Sequence, residues 1–227
     1  MYFIIPLLLL VALVFAPGWW VRKVMSRYSS PENRYDGTGG ELARYLLDSN
    51  DLHDVRVEET PEGDHYDPLE KVVRLTPEKL NGRSLTAITV AAHEVGHALQ
   101  DASGYTPLRL RTRLVMLTLP VQKLGAGILM AAPFIGMITR APGVSLLMIM
   151  GGFMSLGATT LVHMVTLPTE LDASFNRAMP LLRKGNVLKP VDIPHARRLL
   201  KAAALTYLSA SLASLLNIAR WWALLRR

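Results

Sequence analysis

Residues 91–101 read AAHEVGHALQD, in which small and apolar residues surround two histidines and a glutamate. Apolar residues recur with helical spacing from about residue 84 to residue 104, which predicts one continuous helix. Because residues four positions apart lie on the same face of a helix, His93 and His97 would point in the same direction. Two neutral imidazoles placed in this way suit a single Zn²⁺ ion. The stretch therefore predicts a helix that carries part of a zinc site.

The glutamate beside the first histidine predicts the chemistry of this site. Glu94 follows His93 directly, so its carboxylate can reach the metal position and take a proton from a water that zinc activates. That water could then attack a peptide carbonyl. A purely structural pair of histidines is the plainer alternative, but the small neighbours Ala92 and Gly96 and the position within a helix favour the zinc site. The pattern predicts Glu94 as the catalytic base.

A catalytic zinc of this kind needs a third protein ligand. Ser103 stands six residues after His97, where one class of zinc peptidases has a third histidine, so that class is excluded. Downstream of the helix, Glu170 and Asp172 are the only carboxylates before Asp192. Because residues two apart point to nearly opposite faces of a helix, both cannot easily bind one ion. The residues alone leave both as candidates.

Long apolar regions predict a membrane protein, since half of the residues are hydrophobic. Residues 1–21 have the length and the terminal tryptophans of an N-terminal transmembrane helix. Residues 114–168 consist of two apolar stretches separated by a Pro-Gly turn, which predicts a transmembrane hairpin. Basic residues directly after the first span predict that residues 22–113 form a cytoplasmic catalytic region; they are Arg22, Lys23 and Arg27.

The remaining segments predict a small β element and further helices. Thr38 can cap a helix that runs through Asp48. Residues 54–60 and 70–76 alternate apolar and polar side chains around a Glu-Gly-Asp turn, which predicts a β-hairpin. Residues 169–227 are expected to hold the third-ligand helix and membrane-associated helices, with residues 202–219 either on the membrane surface or across it.

The charge distribution and the absence of cysteine limit which partners and which metal ligands the chain can use. The net charge of +7 is concentrated in residues 170–227, whereas acidic residues slightly outnumber basic ones in residues 22–113. Basic residues beside apolar helices favour an anionic membrane surface, and no basic-aromatic stripe points to nucleic acid. Cysteine is absent, so any metal must be held by histidines and carboxylates. We expect a lipid bilayer and a polypeptide substrate as partners, and no nucleic acid.

Four segments closely resemble the YugP-like family of membrane zinc metallopeptidases: residues 92–101, 104–109, 166–174 and 202–207. More distantly, an HExxH helix followed by a transmembrane hairpin and a glutamate-bearing helix resembles the HtpX and CAAX-protease group of gluzincins. This resemblance implies Glu170 as the third zinc ligand. Those relatives have an aspartate four residues after the glutamate, where this chain has Ser174. Asp101, four residues after His97, is a possible substitute, and a plain surface acid is the alternative.

A peptidase also needs a group that stabilises the oxyanion formed from the substrate carbonyl. The candidates are His163, Arg177, His195 and Tyr207. We take His163 because an ionisable residue within an apolar span is often functional. We take Tyr207 because of the family resemblance and its phenolic donor.

Together these features predict an α-helical integral membrane protein with a small β-hairpin or sheet element and gluzincin-like catalytic helices next to a transmembrane hairpin. The expected protein is a multi-pass, zinc-dependent endopeptidase of the cell membrane, with its active site on the cytoplasmic side. The alternative is a zinc-stabilised membrane scaffold or regulatory subunit that cleaves nothing. Glu94 favours the enzyme, because a purely structural zinc site has no need for a carboxylate there.

Overall fold

The computed structural model of the protein describes residues 4–140, 142–185 and 187–206. These residues are mostly helical, with one small sheet. The chain divides into two compact units, of which the first comprises Met1–Phe15, Leu110–Thr166 and Tyr207–Arg227. The second unit comprises Ala16–Arg109 and Leu167–Thr206, and it contains the predicted zinc ligands.

The helices and strands follow one another in the chain with short connections. The α-helices are α1 (Ile4–Arg27), α2 (Gly39–Asp48), α3 (Pro77–Leu80), α4 (Leu85–Ala102), α5 (Thr106–Thr139), α6 (Pro142–Leu171) and α7 (Met179–Lys184). A π-helical segment, Asp172–Ala178, joins α6 to α7, and a 3₁₀ turn, Pro190–Asp192, precedes a helix over residues 193–206. The strands are β1 (Arg56–Glu59), β2 (His65–Asp67) and β3 (Val72–Leu75).

The prediction of an integral membrane protein is wrong for the residues that the structure describes. Where they are described, residues 1–21 and 114–168 lie in helices, apart from Arg140 between α5 and α6. None of the described helices combines the length and apolarity needed to cross a membrane. The helices continue beyond the apolar stretches and include charged residues, which the sequence pattern had assigned to flanking segments. Thus α1 includes Arg22, Lys23 and Arg27, and α5 includes Arg109 and Arg111. The predicted boundaries near residues 21, 113 and 168 stay a prediction.

The small sheet is confirmed, but the predicted pairing of its strands is wrong. The strand order is β1-β3-β2, with β1 parallel to β3 and β2 antiparallel to β3. The alternating pattern at 54–60 and 70–76 correctly indicated strands, but β2 lies between them in sequence and forms the hairpin with β3. An aspartate holds that hairpin turn, since Asp67 accepts hydrogen bonds from the backbone N–H groups of Leu69 and Glu70.

The core of the second unit is built around α4. Helices α2, α3 and α7, strands β2 and β3 and the π-helical segment all contact α4. Fifteen residues of α4 are buried, so this helix is enclosed on every side rather than on one face. The predicted helix at Thr38 is confirmed: Thr38 and Glu41 form a capping box at the start of α2. The surrounding elements thus hold α4 in a fixed position.

Candidate metal centre

Helix α4 carries the HExxH residues in its interior. Ser84 caps its first turn by accepting a hydrogen bond from the backbone N–H of Ala87, as the predicted helix start requires. His93, Glu94 and His97 are 4%, 6% and 4% exposed. The rings of the two histidines meet edge to face, with centroids 4.8 Å apart. Burial of two histidines and a glutamate is costly unless they are paired or bind a metal.

A close approach of two backbones brings the third ligand to these histidines. Gly96 packs against the π-helical segment, and a Cβ atom at this position would lie only 2.6 Å from the carbonyl oxygen of Ala173. Segments of π-helix often occur at functional sites. Because Gly96 has no side chain, the end of α6 and the start of the π-helical segment can lie directly against the HExxH helix.

Three buried side chains converge on one point. Glu170 Oε2 lies 3.2 Å from His93 Nε2 and 3.3 Å from His97 Nε2. The three residues form a group that could hold a metal ion, with ligand atoms within 4.8 Å of one another. The Glu170 side chain is only 1% exposed. The structure therefore brings together the three metal ligands that the sequence predicted.

Asp172, the other candidate ligand, makes different contacts. Its carboxylate accepts hydrogen bonds from Gln100 Nε2 and Asn176 Nδ2, both at 2.8 Å, and it pairs with Arg177 at 3.4 Å. Burial alone would raise the pKa of Asp172, but the bonds from Gln100 and Asn176 and the charge of Arg177 hold it below its usual range. Asp172 is an anchor for Gln100 and does not belong to the metal-binding group.

Gln100 defines the proton position on His97. Its amide nitrogen donates to the Thr169 carbonyl and to Asp172, both at 2.8 Å, so its carbonyl oxygen must be the atom 2.9 Å from His97 Nδ1. An acceptor at Nδ1 requires the proton on Nδ1. In the neutral ring, the lone pair of His97 therefore lies on Nε2, on the side of Glu170.

Ser174 contacts Nδ1 of His93, just as Gln100 contacts Nδ1 of His97. Its hydroxyl oxygen lies 3.1 Å from His93 Nδ1 and donates to the Leu200 carbonyl at 3.1 Å. The sequence analysis did not predict that Gln100 and Ser174 contact the two histidines. The available signals were their spacings, since Gln100 follows His97 by three residues and Ser174 follows Glu170 by four, in each case about one turn away.

The donor set fits zinc. With Zn–N and Zn–O bonds of about 2.1 Å, two ligands on a tetrahedral ion are about 3.4 Å apart, which is close to the separation of Glu170 Oε2 from each histidine nitrogen. Burial alone would raise the pKa of Glu170, but a positive charge on His97 and hydrogen bonds from both histidines lower it well below its usual range. The carboxylate is therefore ionised when positive charge lies beside it, either on the histidine rings or on a metal ion. Lone pairs that face an anionic oxygen in a buried site repel one another unless a cation lies between them. Nitrogen and oxygen donors at these distances are suited to Zn²⁺.

The remaining predicted site residues lie away from this centre or outside the described residues. Asp101 accepts a hydrogen bond from Tyr66 at 2.7 Å and pairs with Lys71, so it does not orient His97. Among the oxyanion candidates, Arg177 contacts Asp172 and Ser103, and His195 contacts the Tyr28 hydroxyl at 3.1 Å.

The two oxyanion candidates that we selected are not tested by the structure. His163 belongs to α6, and its side chain lies outside the described part. Tyr207 lies beyond residue 206, the last residue described. Both roles therefore stay predictions.

Two buried histidines of an HExxH helix, joined by a glutamate from another helix, form the donor arrangement of zinc metallopeptidases. The chain belongs to the family described as "Putative neutral zinc metallopeptidase", whose profile matches residues 2–226, and its cofactor is zinc. It is also similar to the "Putative membrane protease YugP" of Bacillus subtilis (strain 168), with 36% identity over 223 residues, which cover 97% of this chain and 95% of that protein. No solved structure shows a significant match.

Proposed function

We propose that the chain is a zinc-dependent endopeptidase that hydrolyses peptide bonds, with Glu94 as the general base. The observation that carries this proposal is the convergence of His93 Nε2, His97 Nε2 and Glu170 Oε2 in a buried site. Membership of the zinc metallopeptidase family supports the same activity. Three protein ligands also leave a fourth position of a tetrahedral ion open, which is typical of catalytic zinc rather than structural zinc.

In this proposal each residue of the centre has one role. His93, His97 and Glu170 hold the metal. Zinc, when bound, supplies the Lewis-acid chemistry that makes a water molecule nucleophilic at neutral pH. Gln100 and Asp172 fix the ring of His97, so that its Nε2 lone pair stays directed at the metal position.

Glu94 would move the proton. It lies three residues before His97, and residues three apart are neighbours on a helix surface, so its carboxylate is next to the metal-binding face. From there Glu94 can take the proton of the attacking water and return it to the amine that leaves. A carboxylate in this position of the HExxH pattern is the usual base of a metallopeptidase.

Tyr207 and His163 are proposed to stabilise the oxyanion. The support is the resemblance of residues 202–207 to the membrane zinc metallopeptidases for Tyr207, and the position of His163 in an apolar stretch. If Tyr207 has this role, Tyr207→Phe lowers kcat by about 100-fold with little change in KM, because the donor acts on the transition state. An unchanged kcat would remove Tyr207 from the mechanism.

We propose that the substrate is a polypeptide and that the chain acts at a membrane, facing the cytoplasm. The similar protein of Bacillus subtilis is described as a "Putative membrane protease". Arg22, Lys23 and Arg27 at the end of apolar helix α1 would be attracted to the anionic lipids of the cytoplasmic leaflet. Fractionation of cells that express the full chain tests the location. Recovery of the whole population in the membrane-free fraction would contradict it.

The experiment that tests the activity compares the wild type with Glu94→Gln. Both purified full-length chains are loaded with zinc, their metal content is measured, and cleavage of an unstructured polypeptide is followed by mass spectrometry. We expect equal zinc in both and a fall in cleavage rate of at least about 100-fold in Glu94→Gln. The matched control is Glu78→Gln, an exposed carboxylate on α3, which should cleave normally. Zinc in both chains without cleavage of any polypeptide would instead indicate a non-cleaving zinc scaffold.

A further inference from the structure

The inference concerns Ser174 and rests on the proposed zinc centre. Ser174 follows Glu170 by four residues and is 0% exposed. The Ser174 hydroxyl lies between two partners, His93 Nδ1 and the Leu200 carbonyl oxygen, each at 3.1 Å. Leu200 belongs to the helix over residues 193–206.

The direction of these two hydrogen bonds follows from the number of protons. A serine hydroxyl has one proton, and the carbonyl of Leu200 can only accept. When Ser174 donates to Leu200, its oxygen can only accept from His93, so Nδ1 of His93 must carry a proton. The lone pair of His93 is then on Nε2, which lies 3.2 Å from Glu170 Oε2.

We propose that Ser174 is a positioning residue of the metal centre, which orients His93 and fixes its Nδ1–H tautomer by relaying a hydrogen bond to the Leu200 carbonyl. Through this relay the backbone of the helix over residues 193–206 supports a metal ligand.

An uncharged hydrogen-bond partner for His93, as Ser174 is, agrees with the charges in the rest of the site. Gln100, which is also neutral and 0% exposed, holds His97 in the same way. Glu94 and Glu170 are already buried carboxylates, and a third one beside His93 would add a further large cost of desolvation. With neutral groups on both histidines, the two charges of Zn²⁺ are balanced by the carboxylates of Glu94 and Glu170.

A zinc titration against a competing chelator tests this role. The full-length wild type is compared with Ser174→Ala, which removes only the hydroxyl. We expect zinc binding that is weaker by about 10- to 100-fold, as for other residues that orient metal-bound histidines. The matched control is Thr89→Val on α4, which removes another buried hydroxyl, one that has no hydrogen-bond partner among the described residues. The control should bind zinc within about twofold of the wild type.

A second readout separates positioning from a general structural effect. In the zinc-loaded wild type, ¹⁵N-histidine NMR should show a His93 Nδ1–H proton that exchanges slowly with water. This exchange becomes fast in Ser174→Ala, and Ser174→Thr, which keeps the hydroxyl, restores slow exchange. If Ser174→Ala does not fold, the spectrum of the wild type alone tests the proposal. Fast exchange of the His93 Nδ1–H proton in the wild type would overturn it.

The two possible failures are distinguishable. If the wild type binds zinc and Ser174→Ala binds it equally well, the role of Ser174 is wrong while the zinc centre stands. If the wild type binds no zinc, the proposed centre itself is wrong and the role of Ser174 falls with it.

Discussion

Gly96 and Ala173 are in such close backbone contact that a Cβ atom on Gly96 would lie 2.6 Å from the Ala173 carbonyl oxygen. This contact sets the distance between the HExxH helix and the segment that supplies Glu170. Gly96→Ala should therefore push the two apart, lowering the free energy of unfolding by about 1–3 kcal/mol and weakening zinc binding. Chemical denaturation and zinc titration of the purified variant measure both effects.

The control for this substitution is Gly127→Ala in α5. A Cβ atom there meets nothing within 4 Å, so alanine should only improve helix propensity, by about 1 kcal/mol at most. Normal zinc binding and stability in Gly96→Ala would show that the two segments have room to adjust.

We also expect a substitution of Gln100 to weaken zinc binding. Gln100→Leu keeps a similar volume but leaves His97 Nδ1 without its acceptor and the Thr169 carbonyl without its donor. We expect zinc binding to weaken by about 10- to 100-fold and the free energy of unfolding to fall by about 2 kcal/mol. Asn176→Ala is the control, since this exposed side chain donates to the other oxygen of Asp172 and should alter neither property strongly. Wild-type zinc affinity in Gln100→Leu would refute the orienting role.

A buried carboxylate outside the metal-binding group, that of Asp192, should make the stability of the protein depend on pH. Asp192 is 0% exposed and accepts hydrogen bonds from Arg34 Nε and Tyr35, both at 2.6 Å. Burial alone would raise its pKa, but the bonds from Arg34 and Tyr35 hold it below its usual range. Because the folded-state pKa is lowered, the stabilisation is fully present above the unfolded-state value of about 3.9 and is lost as the pH falls through the folded-state pKa.

The wild type should therefore lose stability below about pH 4, and Asp192→Asn should show a smaller fall over that range, in urea denaturation at successive pH values. At neutral pH, Arg34→Ala should cost roughly 3 kcal/mol, because it leaves a buried charge without its partner. Asp54→Asn, at an exposed position, should reproduce the wild-type pH profile. An identical acid-induced loss in Asp192→Asn would contradict the assignment.

The sequence predicted the features that depend on neighbours in the chain. The caps at Thr38 and Ser84 and the facing pair of His93 and His97 follow from spacings of three or four residues, and the structure confirms them. The zinc cofactor also followed from this spacing and is confirmed. Local patterns suffice for these features because one helical turn determines which side chains are adjacent.

Features that depend on distant parts of the chain were not predictable in the same way. The residues left Glu170 and Asp172 open as ligands, because nothing local shows which of them faces a helix more than 70 residues away. The orienting role of Ser174 needs the Leu200 carbonyl, which no side-chain pattern indicates. Alternation identified two strands of the sheet but not their parallel pairing, and hydropathy alone led to an integral membrane architecture that the described helices contradict.

The central claim is that Glu170, with His93 and His97, holds the zinc. The measurement that tests it most directly is the zinc dissociation constant of Glu170→Gln and Asp172→Asn, determined by competition with a chelator on full-length chains. The structure predicts that Glu170→Gln weakens zinc binding by more than about 100-fold, while Asp172→Asn, which keeps an acceptor for Gln100, changes it by less than about threefold. Wild-type affinity in Glu170→Gln, or the larger loss in Asp172→Asn, would contradict the account.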